Sequence, residues 1–220
     1  MTQTLKKPHK HHTYQELQVD LHDGQKEVVR NRKRWNVLSC GRRWGKSQLN
    51  YVLALECISK GYPCAYFAPT FDDLKKRFME FIEFANPSGW IESYSIGDGV
   101  IRFVNGKRMD WFGLHRYDAA RGNKYGRVFV DECAHTPNLE QAFNKVIRPC
   151  LADYRGDAYL SSTPAGDTYF RKLYERGRPN RTNWAAWQMP TSSNPHISAD
   201  EIEDARLESP DIVFRQEFLA

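Results

Sequence analysis

The sequence contains no apolar run that approaches the roughly 20 residues a membrane-spanning helix requires. It has no CxxC pair, and its Cys count of 5 is odd, so we expect neither a zinc site nor a disulfide framework. No apolar segment follows the basic N-terminal residues, so we expect no secretory signal. These absences exclude membrane-spanning and disulfide-stapled classes and predict a soluble protein with reduced thiols.

The net charge of this chain is also small. Its 32 Lys+Arg against 27 Asp+Glu give a formal net charge of +5, which permits a polyanionic partner without requiring one. Apolar residues, in contrast, make up 40% of the chain, and 13% of it is aromatic. A length of 220 residues with this composition predicts one folded domain with room for a small appendage.

Short apolar strands alternate with amphipathic helices along most of the chain. We predict strands at 35–40, 64–68, 127–130, 157–161 and 184–189, with short antiparallel strands between 86 and 126. This order favours an α/β fold of three layers, a mostly parallel central sheet with helices on both faces. We expect a disordered tail over 1–13, the main domain over 14–190 and a small helical linker over 191–220. Ligands of such sheets bind where the strands end.

The strongest motif is the segment GRRWGKS, which lies between a predicted strand and a predicted helix. This is the context of a P-loop, in which backbone N–H groups and the helix N-terminus hold phosphate oxygens. The glycine before the lysine allows close backbone approach, the lysine reaches the β- and γ-phosphates, and the serine can ligate Mg²⁺. The usual first glycine is replaced by Cys40. The candidate phosphate-binding residues are Gly41, Arg42, Arg43, Trp44, Gly45, Lys46 and Ser47.

Two acids end another apolar strand. Asp131 and Glu132 directly follow the run Val128–Val130, which is the pattern of a Walker B motif. Asp131 would hold Mg²⁺ through water, and Glu132 would orient or deprotonate an attacking water. A single Asp-Glu pair can also open a surface loop, but the order of the two motifs and the strand context favour the Walker B interpretation.

Hydroxyl side chains follow the next strand, at Ser161, Ser162 and Thr163. At a strand end they would lie close to a γ-phosphate and could pass its hydrolysis on as a loop movement. Alone, this segment is ordinary turn chemistry. After the two preceding motifs, we interpret it as a coupling motif.

Gln25 and several arginines are weaker candidates. Gln25 opens the first helix, and its amide can make two hydrogen bonds to an adenine edge, although a solvated first-turn residue has the same pattern. Additional positive charge on a γ-phosphate accelerates hydrolysis by several powers of ten. Arg42 and Arg43 within the loop, and Arg121 shortly before the Walker B strand, could supply that charge.

Together these residues resemble the ATPase domain of a large terminase subunit, the DNA-packaging motor of tailed phages, from about Leu21 to Met189. The arginine-rich P-loop without its first glycine is the most specific element. The resemblance implies a P-loop NTPase of the ASCE or RecA-like type that hydrolyses ATP with Mg²⁺. The resemblance implies that Lys46 and Ser47 bind phosphate and Mg²⁺, that Arg42 contacts phosphate in cis and that Asp131 binds the metal. It implies that Glu132 is catalytic and that Ser161–Thr163 form the coupling motif. It also implies that Arg121 acts in trans on a neighbouring subunit and that Gln25 contacts adenine.

The resemblance also implies partners and a larger assembly. Members of this family form a ring, here expected to be of five subunits, that docks on a portal protein and works with a small terminase subunit. The ring moves double-stranded DNA into a procapsid in the host cytoplasm. Family members usually carry a C-terminal nuclease domain, for which residues 190–220 are too few. We therefore expect an ATPase-domain fragment that ends in the linker.

Two other functions fit parts of the pattern. Asp131–His135 resembles a helicase acidic motif with one residue inserted, and Ser161–Thr163 resembles a helicase Ser-Ala-Thr motif. A helicase of this type needs a second RecA-like domain with arginine fingers, which this sequence does not contain. A non-enzymatic nucleotide- or DNA-binding module is the third interpretation.

Overall fold

The structure, a computed structural model, describes residues 3–5, 17–178 and 182–220. Its main feature is an eight-stranded sheet, accompanied by a separate antiparallel pair of β1 (Gln3–Leu5) and β2 (Leu17–Val19). The sheet consists of β3 (Trp35–Cys40), β4 (Cys64–Ala68), β5 (Ile91–Ser95), β6 (Val100–Phe103), β7 (Arg108–Gly113), β8 (Arg127–Val130), β9 (Asp157–Ser162) and β10 (Trp184–Met189). None of the helices in the described ranges is long and apolar enough to cross a membrane.

Helices cover both faces of this sheet. They are α1 (Asp23–Asn31), α2 (Lys46–Ser59), α3 (Phe71–Ala85), α4 (Leu139–Ala142), α5 (Arg148–Cys150), α6 (Tyr169–Gly177), α7 (Ala199–Glu208) and α8 (Asp211–Phe214). The helical segment after β8 is interrupted, because π-helical turns at Phe143–Ile147 separate α4 from α5. A second π-helical stretch, Arg215–Leu219, continues α8 to the end of the chain.

The strands lie in the order β10-β3-β9-β8-β4-β7-β6-β5. Strands β10 through β7 are mutually parallel, whereas β6 and β5 are antiparallel additions at one edge. The antiparallel strands expected between 86 and 126 are present, because β6 pairs antiparallel with both β5 and β7, but β7 also pairs in parallel with β4, which was not expected. Met109 and Trp111 of β7 are buried, and a strand with buried side chains is stabilised inside the sheet rather than in an isolated hairpin.

Side-chain alternation along the strands divides the core into two layers. Tyr66 and Phe129 join the cluster that packs against α2 and α3, while their neighbours Phe67 and Val128 join the cluster beneath α4 and α6. Successive strand residues point to opposite faces, so each buried strand supplies both layers. This arrangement confirms the predicted α/β class with helices on both faces of a mostly parallel sheet.

The N-termini of the helices differ in how they are capped. Thr70 Oγ1 accepts the Asp73 N–H at 3.1 Å before α3, and Ser198 Oγ accepts the Glu201 N–H at 3.2 Å before α7. In contrast, α2 starts after Gly45, which has a left-handed conformation and no side-chain cap. The first N–H groups of α2 are thus left for another acceptor.

Part of the tail that we expected to be disordered is a strand. Gln3–Leu5 pairs with Leu17–Val19 in an antiparallel ladder, so that expectation was wrong for these three positions. The other residues of the predicted tail, including its histidines, lie outside the described residues.

A buried ion-pair network lies at the amino ends of the strands. Arg127, the first residue of β8, donates from Nε to Asp157 at 2.6 Å and from Nη1 to Glu56 at 2.8 Å. Glu56 of α2 also accepts from Arg32 and Lys60, each at 2.7 Å. The network joins the C-terminal cap of α1 to α2 and to strands β8 and β9, and it lies at the sheet edge opposite to the carboxyl ends of the strands.

This network predicts how acid affects the free energy of unfolding. Burial alone would raise the pKa of Glu56, but its hydrogen bond to Arg32 and the charge of Arg127 outweigh burial and lower the pKa from 4.5 to about 2. A carboxyl with a depressed folded pKa contributes stability that is present above the unfolded pKa and is lost as the pH falls towards the folded pKa. Urea denaturation at a series of pH values should show a steeper loss of stability from pH 4.5 to 2 in the wild type than in Glu56→Gln.

The exposed Glu92 provides a matched control for this measurement. Glu92→Gln should follow the wild-type pH dependence. Parallel curves for the wild type and Glu56→Gln would contradict the role of the network.

Candidate nucleotide-binding site

Three motifs meet at the carboxyl edge of the sheet. Strands β3, β9 and β8 are adjacent and parallel, with Ser39 opposite Ser162 and Val130 opposite Leu160. The P-loop after β3, the hydroxyl segment after β9 and the acids after β8 therefore leave the sheet side by side. The structure thus brings together segments that are up to about 120 residues apart in the chain.

A polar cavity of about 830 Å³ lies at this edge. Binding cavities for small molecules have volumes of roughly 300 to 1,000 Å³. The residues that line it are Arg42, Arg43, Trp44, Gly45, Lys46, Ser47, Gln48, Lys76, Arg77, Glu132, His135, Thr163 and Ile197. Cationic side chains dominate this lining, and one carboxylate, Glu132, lies among them.

The P-loop backbone has the curvature of an anion cradle. Arg43 and Gly45 both have positive φ, at 57° and 102°, and such turns direct successive N–H groups to one side. Lys46 is buried, and its Nζ donates to the carbonyls of Cys40 at 3.2 Å and Gly41 at 3.4 Å. The ammonium group is therefore held over the loop by weak carbonyl contacts that a phosphate could replace.

Gln25 and His22 hold the P-loop from behind. Gln25 is fully buried, its Oε1 accepts the His22 N–H at 3.1 Å, and its Nε2 donates to the Gly45 carbonyl at 3.0 Å. A Cβ at Gly45 would lie 2.7 Å from that Nε2, so this contact requires glycine. His22 Nε2 bonds the Trp44 carbonyl at 2.9 Å, and burial lowers the pKa of His22 below its usual 6.5.

This position differs from the one expected for Gln25. The side chain was predicted to reach adenine, but it lies behind the loop, outside the residues that line the cavity, with both ends of its amide bonded to protein. Its contacts give it a role in shaping the P-loop, because the amide ties the loop backbone to the start of α1.

The C-terminal segment, residues 191–220, packs against the front of the P-loop. Thr191 Oγ1 donates to the Arg42 carbonyl at 2.8 Å, and Asn194 Nδ2 donates to the Arg43 carbonyl at 2.6 Å. The fully buried Trp44 donates from its indole Nε1 to Ser193 Oγ at 2.9 Å. This stretch was predicted as a linker, but its first residues are bonded to the loop rather than extended from it.

Arg42 is held by the end of the same segment. Its backbone N–H donates to the Glu217 carbonyl at 2.6 Å, and its guanidinium forms an ion pair with the Glu217 carboxylate. The Arg42 side chain is 70% exposed and lines the cavity. It is therefore paired with an acid in this structure, within the cavity where the sequence predicts a phosphate contact.

Asp131 is the buried acid at the base of the site, with only 2% exposure. Its Oδ2 accepts from Tyr66 Oη at 2.8 Å and from Arg77 Nε at 3.1 Å. Its Oδ1 accepts from Ser161 Oγ at 3.2 Å and from the Glu132 N–H at 3.1 Å. Burial, and then the charge of Asp131, raise the pKa of Tyr66 well above its usual value, so the phenol stays protonated and donates.

Glu132 has a left-handed backbone with φ of 47°, which costs a non-glycine residue about 1 kcal/mol. Such conformations concentrate at functional sites, where the surrounding structure imposes them. Its Oε2 accepts from Ser162 Oγ at 3.3 Å, and its side chain lines the cavity. The acid is thus aimed at the space above the P-loop.

The hydroxyl segment after β9 divides its contacts among the acids. Ser161 bonds Asp131, and Ser162 bonds Glu132. Both serines are fully buried, so they do not line the cavity, although the sequence predicted that they would. Thr163 does line it, and its Oγ1 lies 3.2 Å from His135 Nε2. The side chains of Ser161 and Ser162 therefore bond the acids, and Thr163 is the one residue of the three that lines the cavity.

Comparison with known proteins decides the family. A family model described as "Terminase large subunit, T4likevirus-type, N-terminal" matches residues 37–220. The chain belongs to this large-terminase family. That match favours the terminase interpretation over the helicase one.

Individual relatives support the same assignment. The large terminase subunit of Escherichia phage T5 is 27% identical over 198 residues, which cover 86% of this chain and 44% of that protein. The chain thus spans less than half the length of that relative. The large terminase ATPase domain of Thermus phage P74-26 superposes with a TM-score of 0.72 at 23% identity, covering 90% of this chain and 92% of that one.

A second solved structure, the large terminase of another thermophilic bacteriophage in complex with ATP-gamma-S, has a TM-score of 0.74 at 16% identity. The superposition covers 91% of this chain and 52% of the chain in that structure. At these identities the superpositions show the shared fold, which is the RecA-like fold of terminase ATPase domains.

Arg121 of this terminase domain does not line the cavity of the P-loop. It is 57% exposed and pairs with Asp118 at 2.6 Å. It lines a separate cavity of about 230 Å³ together with Lys124 and Lys145. The Arg121 side chain is therefore not among the residues that line the cavity of the P-loop.

Three contact residues of this terminase domain were not predicted from sequence as site residues. Neither Arg77 nor Glu217 belongs to a sequence motif. Arg77 lies on an ordinary amphipathic helix, and Glu217 is 175 residues from its partner Arg42. His135 belongs only to the helicase-like motif. A local pattern cannot report contacts that depend on how distant elements dock.

The packing of the C-terminal segment predicts an unusual sensitivity at Gly41. A Cβ there would lie 2.7 Å from the Phe218 carbonyl oxygen and would also meet Thr191. We expect Gly41→Ala to loosen the segment, at a cost of about 1 to 3 kcal/mol for overpacking. Hydrogen–deuterium exchange should accelerate at 191–194 and 211–219 and remain unchanged in the central strands.

Gly97→Ala is the control, because a Cβ at Gly97 meets nothing within 4 Å. Unchanged exchange of the C-terminal segment in Gly41→Ala would show that glycine is not needed for its docking.

Proposed function

We propose that this chain is the ATPase part of a large terminase that hydrolyses ATP to drive double-stranded DNA into a procapsid. The observation that carries the proposal is the shared cavity of the P-loop and Glu132 above the buried Asp131, in a chain of the terminase family. Complexes of the thermophilic-phage terminase with ADP and with ATP-gamma-S support nucleotide as the ligand of this fold.

Phosphate binding would follow from the P-loop. The uncapped N-terminus of α2 offers its first N–H groups to an anion, and the helix dipole favours negative charge there. Lys46 would exchange its two carbonyl contacts for phosphate oxygens, which are stronger acceptors for an ammonium group. Arg43 lines the same cavity and adds positive charge.

Ser47 and Asp131 fit a magnesium ion by their chemistry. Mg²⁺ takes oxygen ligands and keeps several waters, so protein sites often supply one or two oxygens and leave the rest to phosphate. No cluster of three or more His, Cys, Asp or Glu suited to a metal occurs in the described part of the chain, which is compatible with such a sparse site. The ion would neutralise charge on the phosphates.

Glu132 would orient and deprotonate the attacking water. Its strained backbone and its contact with Ser162 hold the carboxylate at the cavity. Arg42 would contact the phosphate in cis after leaving Glu217, and Arg121 of a neighbouring subunit would complete the site in trans. Thr163 and His135 would report the phosphate state to the strand ends.

The assembly and partners follow from the family. We propose a ring, of five subunits, that binds double-stranded DNA, a portal protein and a small terminase subunit in the host cytoplasm. The bacteriophage Phi-29 packaging motor assembly shares the fold with a TM-score of 0.55 over 86% of this chain, which supports a motor role. The C-terminal segment would lead to a nuclease domain.

The catalytic role of Glu132 predicts a separation of binding from hydrolysis. Glu132→Gln keeps the size of the side chain and one oxygen that can accept from Ser162 but removes the base, so steady-state ATP hydrolysis should fall by about 10²- to 10⁴-fold. The affinity for a fluorescent ATP analogue should stay within a few-fold of the wild type. Lys46→Ala, the comparison variant, should lose affinity as well; hydrolysis that persists in Glu132→Gln would refute the assignment.

The trans role of Arg121 predicts complementation between two inactive chains. Arg121→Ala should lack the donated arginine and Lys46→Ala should lack the phosphate site, so each alone should be nearly inactive. A mixture should regain hydrolysis, because Lys46→Ala subunits can supply Arg121 to intact P-loops. Mixing Arg121→Ala with the double variant Lys46→Ala/Arg121→Ala should recover nothing, and equal rates in the two mixtures would exclude the trans role.

A further inference from the structure

The Arg77 side chain of α3 separates Asp131 from the nucleotide cavity. Its Nε lies 3.1 Å from Asp131 Oδ2, and Arg77 lines the cavity while Asp131 is 2% exposed. The guanidinium thus lies between the carboxylate and the cavity. Any cation that Asp131 is to hold must reach it through this position.

The other donors to Asp131 come from inside the protein. Tyr66 and Ser161 are fully buried, and the third donor is the backbone N–H of Glu132. Together with Arg77 they provide each carboxylate oxygen with two hydrogen bonds. Asp131 has no spare acceptor position for a hydrated metal, so one donor must leave when the metal arrives.

Arg77 is the donor that can leave. Its side chain is 26% exposed, and its Nη1 donates to Glu80 one helical turn away at 2.9 Å. Glu80 is held in turn by Tyr51 Oη at 3.0 Å. If Arg77 gives up Asp131, it keeps a carboxylate partner on its own helix, whereas a buried Tyr66 or Ser161 hydroxyl would be left without one.

We propose that Arg77 is an exchangeable counter-cation that holds the Asp131 carboxylate in the metal-free protein and yields it to Mg²⁺ when nucleotide binds. This inference rests on the proposed ATPase function and adds to it a positioning residue. Before loading, Arg77 neutralises a buried carboxylate, which would otherwise be costly. On loading, the guanidinium leaves Asp131 and keeps its contact with Glu80, so metal binding is coupled to the position of the Arg77 side chain.

The exchange predicts in which direction the affinity for the metal changes when the Arg77 guanidinium is removed, whereas a purely supporting role for Arg77 does not. Because the wild-type metal must displace Arg77, removing the guanidinium should strengthen metal binding rather than weaken it. In contrast, an arginine that contacts phosphate would strengthen nucleotide binding with or without metal. An arginine that only supports α3 would affect neither.

Affinity for a fluorescent ATP analogue, measured with Mg²⁺ and with EDTA, tests the exchange. In Arg77→Met the ratio of the two dissociation constants, EDTA over Mg²⁺, should be about tenfold larger than in the wild type, a coupling typical of contacting charged residues. Mn²⁺ binding without nucleotide, followed by electron paramagnetic resonance, should tighten in the same variant. Arg77→Lys, which keeps a cation beside Asp131, should stay near the wild-type ratio.

Two further variants make the outcome decisive. Lys75→Met removes an exposed positive charge from the same helix and should leave the ratio unchanged. Arg77→Gln replaces Arg77→Met if thermal denaturation shows that the methionine variant does not fold, and its ratio should also rise. An unchanged ratio, with both affinities either intact or equally weakened, overturns the exchange.

The test also separates this inference from the proposed function. A wild-type protein that binds no ATP analogue would contradict the ATPase proposal, while the Mn²⁺ measurement would still decide the exchange. In that case, tighter Mn²⁺ binding by Arg77→Met supports the counter-cation role and unchanged binding refutes it.

Discussion

The buried carboxylate of Asp131 is the constraint around which the site is arranged. Placing an ionised carboxylate at 2% exposure costs several kcal/mol unless donors surround it. Those donors come from β4, α3 and β9 as well as from the turn after β8. Because each donor must lie within hydrogen-bond reach of one carboxylate, Asp131 fixes where three neighbouring elements meet, and it lies beneath the cavity that the P-loop lines.

The P-loop above that floor takes its shape from both ends of the chain. Gln25 and His22 bond it from behind, and Thr191 and Asn194 bond its carbonyls from the front. A loop clasped on two sides cannot change shape without disturbing one of them. A rearrangement of Arg42 would therefore disturb the contacts of the C-terminal segment, residues 191–220, with the loop.

Much of the fold and part of the site were predictable from local patterns. Strand β3, strand β4 and the start of α2 follow from short apolar runs and from the glycine before Lys46. The shared cavity of Lys46 and Glu132 follows from the rule that parallel strands end at one edge. The parallel pairing of β7 could not be predicted this way, because its choice of neighbour depends on the burial of Met109 and Trp111 in the folded core.

By itself, the sequence determined the kinds of chemistry available and the order in which they occur along the chain. Glycine, lysine, serine and paired acids at strand ends are short-range signals, set by backbone geometry and by the needs of phosphate and metal. Only the tertiary structure decided which partners those groups face: Gln25 bonds the loop backbone, Glu217 pairs with Arg42, and Arg77 covers Asp131. These are electrostatic and hydrogen-bond contacts between elements distant in sequence, and their existence depends on how the helices dock on the sheet.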